Sequence, residues 1–284
     1  MKRLITAAVA LPILIASILL PQLHLLFVAL AVGAVVVALY EFWFLARRLG
    51  GRPDVVVGYA ATAAILTAFF FNVPLLLLII LPVFVAAVLV AEMLRGAPFD
   101  KMILSAGSTV LGVLYVALLG GHLLGVRRGF EMVLSPVPDS YTLSTHLLSF
   151  FFLVLMGSDT GAYYTGRALG RHKLAPNISP GKTWEGAAGG MAASLLMAAL
   201  AHYWFFPELP LRAALPLAAV LNVLGVVGDL VESALKRGSN AKDAANILPG
   251  HGGFLDRLDS LLFNAPLLYY FAVLFWRESA TIIR

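Results

Sequence analysis

The sequence predicts an all-α polytopic membrane protein with about nine transmembrane helices and a cytoplasmic N-terminus. Three observations carry that expectation. First, 61% of the 284 residues are hydrophobic and 12% are charged, with a mean hydropathy of +0.92. An ordinary soluble domain carries roughly 25% charged residues and needs them to wet its surface. Second, the apolar residues form long continuous runs, not the alternating segments of about ten residues that barrel strands require. Third, the basic residues are sorted to one side of those runs. This composition excludes most soluble globular folds, disordered chains and nucleic-acid-binding modules. The lack of cysteine excludes disulfides, thiolate–metal sites and a Cys nucleophile.

The elements follow in order. The run at about 4–20 comes after Met1, Lys2 and Arg3; it lacks a small-x-small cleavage site and more spans follow, so it reads as a retained helix. Runs at about 25–46, 55–71, 75–94 and 102–126 are mostly Leu, Val, Ala and Ile. A longer connection from Arg127 to His146 contains Ser135-Pro136-Val137-Pro138-Asp139 and reads as irregular. Four further runs lie at about 145–168, 186–206, 213–232 and 257–276. Backbone polar groups cannot stay unpaired in lipid, so each run is a helix. Polar residues gather only after the fifth run. The chain therefore divides into an N-terminal transmembrane region, 1–144, and a C-terminal catalytic region, 145–284, with cytoplasmic loops.

Nine spans put the termini on opposite sides of the bilayer. Fifteen of the twenty Lys and Arg residues then fall on the N-terminal side, leaving Arg127, Arg128, Arg212, Arg277 and Arg284 on the other. The positive-inside rule makes the N-terminal side cytoplasmic.

Four polar groups stand out in the second half: Gly157-Ser158-Asp159-Thr160-Gly161, the loop Asn177 to Gly186, Gly228-Asp229-Leu230-Val231-Glu232-Ser233, and the stretch from Lys236 to Asp259. An ionisable group within a membrane costs about 2.5–3.5 kcal/mol on insertion scales, so it faces partners or water. Asp256 and Asp259 are one helical turn apart, and Asp229 ends the preceding span. Such carboxylates repel one another unless a cation lies between them, and oxygen-only ligands favour Mg²⁺ over zinc. Lys182, Lys236, Arg237, Lys242 and Arg257 surround them, with Gly250, Gly252 and Gly253 close by. Carboxylates, cations and glycine backbone together suit a polyphosphate, which points to phosphoryl or nucleotidyl transfer at a membrane surface.

Taken singly, these residues have plainer readings. Asp256 or Asp259 alone reads as a helix cap or first-turn acid, and Asp159 as an interhelical hydrogen-bonding residue. Lys236 and Arg237 alone read as topology signals. Glu41 has no motif around it and reads as an interhelical contact. His251 has no second His at metal-ligand spacing. Gly181-Lys182-Thr183 fails as a P-loop, because the first Gly would fall at Pro176 and no strand is expected before it.

The 27 residues from Ser233 to Asp259, S-A-L-K-R-G-S-N-A-K-D-A-A-N-I-L-P-G-H-G-G-F-L-D-R-L-D, resemble the C-terminal signature of phosphatidate cytidylyltransferases, the CDP-diacylglycerol synthases. S-D-T-G-A-Y, S-P-G-K-T-W-E-G and G-D-L-x-E-S upstream are similar to the family in the same order. The resemblance is firm over roughly 150–276; the first half resembles the family only as a set of apolar helices. It implies that CTP and phosphatidate, a lipid of the bilayer, give CDP-diacylglycerol and pyrophosphate. Asp229, Asp256 and Asp259 would hold one or two cations, at least one of them Mg²⁺. Lys182, Lys236, Arg237, Lys242 and Arg257 would neutralise substrate or leaving pyrophosphate. Ser179, Thr183, Asp159, Asp243, His251, Gly252 and Gly253 would contact substrate or support the ligands. The resemblance also implies a homodimer; the charge count places these residues on the cytoplasmic side, and the expected location is the bacterial inner membrane. A CDP-alcohol phosphotransferase would carry D-x₃-D where this chain has D-x₂-D after H-G-G. A related lipid-alcohol kinase would release a nucleoside diphosphate instead of pyrophosphate. A cation-relay transporter would show repeats or broken helices in both halves.

Overall fold

A computed structural model describes residues 2–133, 140–241 and 253–282, with side chains over 10–128, 142–241 and 253–276. The helices are α1 (Lys2–Leu19), α2 (His24–Arg48), α3 (Val55–Phe70), α4 (Leu77–Leu94), α5 (Met102–Gly112), α6 (Leu119–Val133), α7 (Ser140–Leu169), α8 (Trp184–Trp204), α9 (Leu211–Gly238) and α10 (Leu255–Ile282). A π-helical segment, Val113–Leu118, joins α5 and α6 into one rod. Local chemistry sets several ends. Pro21 and Pro74 open short 3₁₀ turns before α2 and α4. Asp54 caps α3, its Oδ1 accepting from the Val57 N–H at 3.0 Å. Asn72 takes a positive φ of 53° in the turn after α3.

Among the described residues a helix stands at each predicted apolar run. Six are long and apolar enough to cross a membrane: Pro21–Arg48, Pro74–Leu94, Met102–Arg128, Thr142–Leu169, Leu211–Gly238 and Leu255–Trp276. Two shorter apolar helices, Ala10–Leu19 and Val55–Phe70, accompany them. The start of α8 is diluted by Gly186-Ala187-Ala188-Gly189-Gly190. Large apolar side chains cover the outer surface, with Ile103 88% exposed and Leu78 71% exposed. Such a surface belongs against lipid.

Two expectations need correction. The Arg127–His146 connection is not irregular throughout: α6 runs on to Val133 and α7 begins at Ser140, with 134–139 outside the described residues. Arg127 explains the extension. Its guanidinium is buried and donates to the carbonyls of Ser17 and Ile18 and to Thr145 Oγ1, so it satisfies the open end of α1 from inside the bundle. The second correction concerns the loop Asn177–Gly186. Strands β1 (Lys173–Ala175) and β2 (Ser179–Thr183) pair antiparallel, with Lys173 opposite Thr183 and Ala175 opposite Ser179. A strand does precede Gly181-Lys182-Thr183, but it belongs to a hairpin and not to a P-loop.

Two apolar cores hold the bundle. One gathers α2, α3, α4 and the π-helical segment; the other gathers α6 to α9. Helix α10 belongs to both, through Leu255 and Leu262 in the first and Ala265, Leu268 and Ala272 in the second. Small residues bring α7 and α8 together: a Cβ at Gly161 would lie 2.7 Å from the Gly189 carbonyl oxygen.

Candidate active site

The site is built where α7, the hairpin, α9 and α10 meet. The hairpin is fastened to both neighbouring helices. Thr183 caps α8, its Oγ1 accepting from the Gly186 N–H at 3.1 Å. Glu185, in the first turn of α8, accepts from the Arg171 N–H at 3.1 Å and lies 2.6 Å from His172 Nδ1. The His172 ring, chiefly, and the nearby N–H groups hold the Glu185 carboxyl at about 2, below its ordinary value. Arg237 Nε donates to the Ile178 carbonyl at 3.4 Å, tying the hairpin turn to α9.

That anchoring delivers Lys182. Its Nζ lies 2.6 Å from Asp229 Oδ2 on α9. Asp159 on α7 and Asp259 on α10 lie within electrostatic reach of Asp229 and Lys182. Gly228 permits the close crossing of α9 and α10, since a Cβ there would fall 2.6 Å from the Asp259 carbonyl oxygen. Asp259 Oδ1 accepts from the Ser260 N–H at 2.6 Å. Behind this pairing, Asn222 Nδ2 donates to Ser158 Oγ at 2.6 Å and links α9 to α7.

Asp256 belongs to an adjoining network. Lys236 Nζ lies 2.6 Å from Glu232 Oε2 and 2.7 Å from Asp256 Oδ1. Asp256 Oδ2 accepts from the Gly253 N–H at 2.8 Å, closing the first turn of α10. The start of α10 is also capped from a distance: the Leu255 N–H donates to Oε2 of the fully buried Glu41 at 2.7 Å. The expected interhelical contact of Glu41 is thus a hydrogen bond to backbone.

The structure therefore brings Asp159, Lys182, Asp229 and Asp259 together and turns Asp256 toward Lys236. Thr183 spends its hydroxyl oxygen on the α8 cap, and Ser179 sits in β2. Arg237 and Arg257 are exposed beside the cleft. Lys242, Asp243, His251 and Gly252 lie outside the described residues. Glu185 and Glu232 had no assignment from the sequence, nor had His172 and Asn222. The i,i+4 spacing of Glu232 and Lys236 was a usable signal for one of them.

Among the described residues, no three Asp, Glu or His side chains are grouped closely enough to enclose a metal ion. The donor chemistry still fits Mg²⁺. This ion commonly uses one or two protein carboxylates and takes its other ligands from water and substrate phosphate. Asp229 and Asp259 present such a pair, and Lys182 supplies the positive charge their mutual repulsion calls for.

Residues 1–275 match the model of the Cytidylyltransferase family. The chain belongs to that family. A phosphatidate cytidylyltransferase of Pseudomonas aeruginosa is 37% identical over 282 residues, covering 97% of this chain and 96% of the relative. One from Bacillus subtilis is 39% identical over 177 residues, 62% of this chain and 60% of that protein. One from Staphylococcus saprophyticus is 47% identical over 123 residues, 43% of this chain and 47% of that protein. The aligned part thus spans less than two thirds of the latter two relatives and nearly all of the first.

Proposed function

We propose that this membrane protein is a phosphatidate cytidylyltransferase, converting CTP and phosphatidate to CDP-diacylglycerol and pyrophosphate. The observation that carries the reading is the grouping of Asp159, Lys182, Asp229 and Asp259 on four neighbouring elements of a cytidylyltransferase-family chain. A phosphatidate phosphate oxygen attacks the α-phosphorus of CTP; that O–P bond forms as the bond to the bridging oxygen of the leaving pyrophosphate breaks. The nucleophile is already an anion, so no general base is required, in keeping with the lack of a Ser–His–Asp arrangement among the described residues. Both reactants are anionic and the barrier is largely electrostatic. Lys182, Lys236, Arg237, Lys242 and Arg257 bind and neutralise phosphate oxygens. Asp229 and Asp259 are the residues that would hold Mg²⁺; Asp256, which the sequence grouped with them, is paired with Lys236, and a second cation is part of the proposal. Bound there, the ion would supply charge stabilisation to phosphate oxygens.

The topology completes the reading. Nine spans with a cytoplasmic N-terminus place the hairpin and the start of α10 on the cytoplasmic side of the inner membrane. CTP then arrives from water while the lipid tails stay in hydrocarbon. The working unit is a homodimer.

The test is direct. Protein purified in detergent is incubated with CTP, phosphatidate and Mg²⁺, and both products are measured. CDP-diacylglycerol and pyrophosphate should appear in equal amounts, stop on chelation and return with Mg²⁺. A folded preparation that yields neither product overturns the activity; turnover that survives chelation overturns the metal.

A further inference from the structure

One polar group of the N-terminal half reaches the active-site crossing, and the reaction above does not use it. Tyr115 sits in the π-helical segment Val113–Leu118; such segments recur at functional sites. The residue is 7% exposed. Its hydroxyl is buried and has no hydrogen-bond partner among the described residues. A buried phenol hydroxyl without a partner has lost water and regained nothing. The ring does not need it: Tyr115 packs edge-on against Phe42 of α2 at 5.9 Å and Phe263 of α10 at 6.0 Å, contacts that a phenylalanine would keep.

The position points to a partner. Phe263 is one turn beyond Asp259 on the same face of α10. Gly228 packs against both, since a Cβ there would lie 2.6 Å from the Asp259 carbonyl oxygen and 3.2 Å from Phe263 Cβ. Tyr115 is therefore held at the α9–α10 crossing that carries the acids, within electrostatic reach of Asp259 and Glu232. It stands one turn further along α10 than Asp259, on the hydrocarbon side of the cleft in the topology proposed above. Lys182 approaches from the hairpin at the opposite end.

We propose that Tyr115 is a substrate-binding residue whose hydroxyl donates a hydrogen bond to a phosphate oxygen of phosphatidate, the substrate that comes from the bilayer. This rests on the site assigned above. A hydroxyl without a partner among the described residues, and paired in the complex, accounts for a polar group packed between Phe42 and Phe263.

The experiment is Tyr115→Phe in mixed micelles, varying phosphatidate and CTP separately, beside Asp259→Asn. The kcat/KM for phosphatidate should fall about tenfold or more, as for a hydrogen bond to a charged group. The KM for CTP should stay within about twofold, and the melting temperature should not fall, because no bond is lost in the free protein. An unchanged kcat/KM for phosphatidate overturns the proposal. So does a rise confined to the KM for CTP, or a loss that follows a lower melting temperature. If Asp259→Asn is inactive while Tyr115→Phe is normal, only the Tyr115 role fails. If Asp259→Asn turns over normally, the site itself is misplaced.

Discussion

Glu232 is 1% exposed, and Lys236 is what allows a carboxylate to be there. The same ammonium holds Asp256 at 2.7 Å. Lys236 is thus structural as well as a phosphate-binding candidate, and its removal would leave two carboxylates without their cation. Breaking a buried pair by deleting one partner costs about 3–5 kcal/mol. Lys236→Met should therefore lower both melting temperature and turnover. Adding Glu232→Gln should recover part of the melting temperature without restoring turnover, if Lys236 also meets phosphate. Recovery of both would assign Lys236 to stability alone. At this scale the sequence was readable where charge is rare: Lys182, Asp159, Asp229 and Asp259 stood out as charges beside apolar runs. Glu41 and Tyr115 did not reveal their contacts. Glu41 bonds to a residue 214 positions away, and Tyr115 touches Phe263 on another helix. Local spacing carries no trace of such pairings.

The elements were legible as apolar runs, and their corrections share one cause. The 3.6-residue and hydropathy patterns report burial in lipid or core, not how a polar end is satisfied. Arg127 lies past the predicted end of its span yet is buried, because α1 presents open carbonyls there. The hairpin is too short and polar to show as alternating hydrophobicity, and it is stabilised by its neighbours through Glu185 and Arg237. Between α7 and α8 the decisive feature is the absence of side chains. Gly161→Leu should force the two helices apart and cost about 1–3 kcal/mol by overpacking, with turnover falling alongside. Gly33→Ala on α2 is the control, since nothing lies within 4 Å of its would-be Cβ. Melting in detergent should show a clear loss for the first and none for the second. Equal behaviour would remove the role of the α7–α8 contact.

At the scale of the molecule, topology decides whether the site can meet both substrates. The chain lacks cysteine, so single cysteines can report sidedness. Pro176→Cys at the hairpin should react with a membrane-impermeant maleimide only after cells are opened, whereas Glu208→Cys, between α8 and α9, should react in intact cells. The opposite pattern would reverse the orientation. Composition was enough to establish a helical membrane protein and to locate its runs, because hydrocarbon imposes length and apolarity on each span independently of the others. It could not say which acids share a cleft. That depended on Gly228 letting α10 close on α9, on Lys236 drawing Asp256 aside, and on Glu41 and Tyr115 reaching α10 from the other half of the chain. These are contacts between helices, and helix packing is set by shape and hydrogen-bond satisfaction across elements, quantities that no single run of sequence contains.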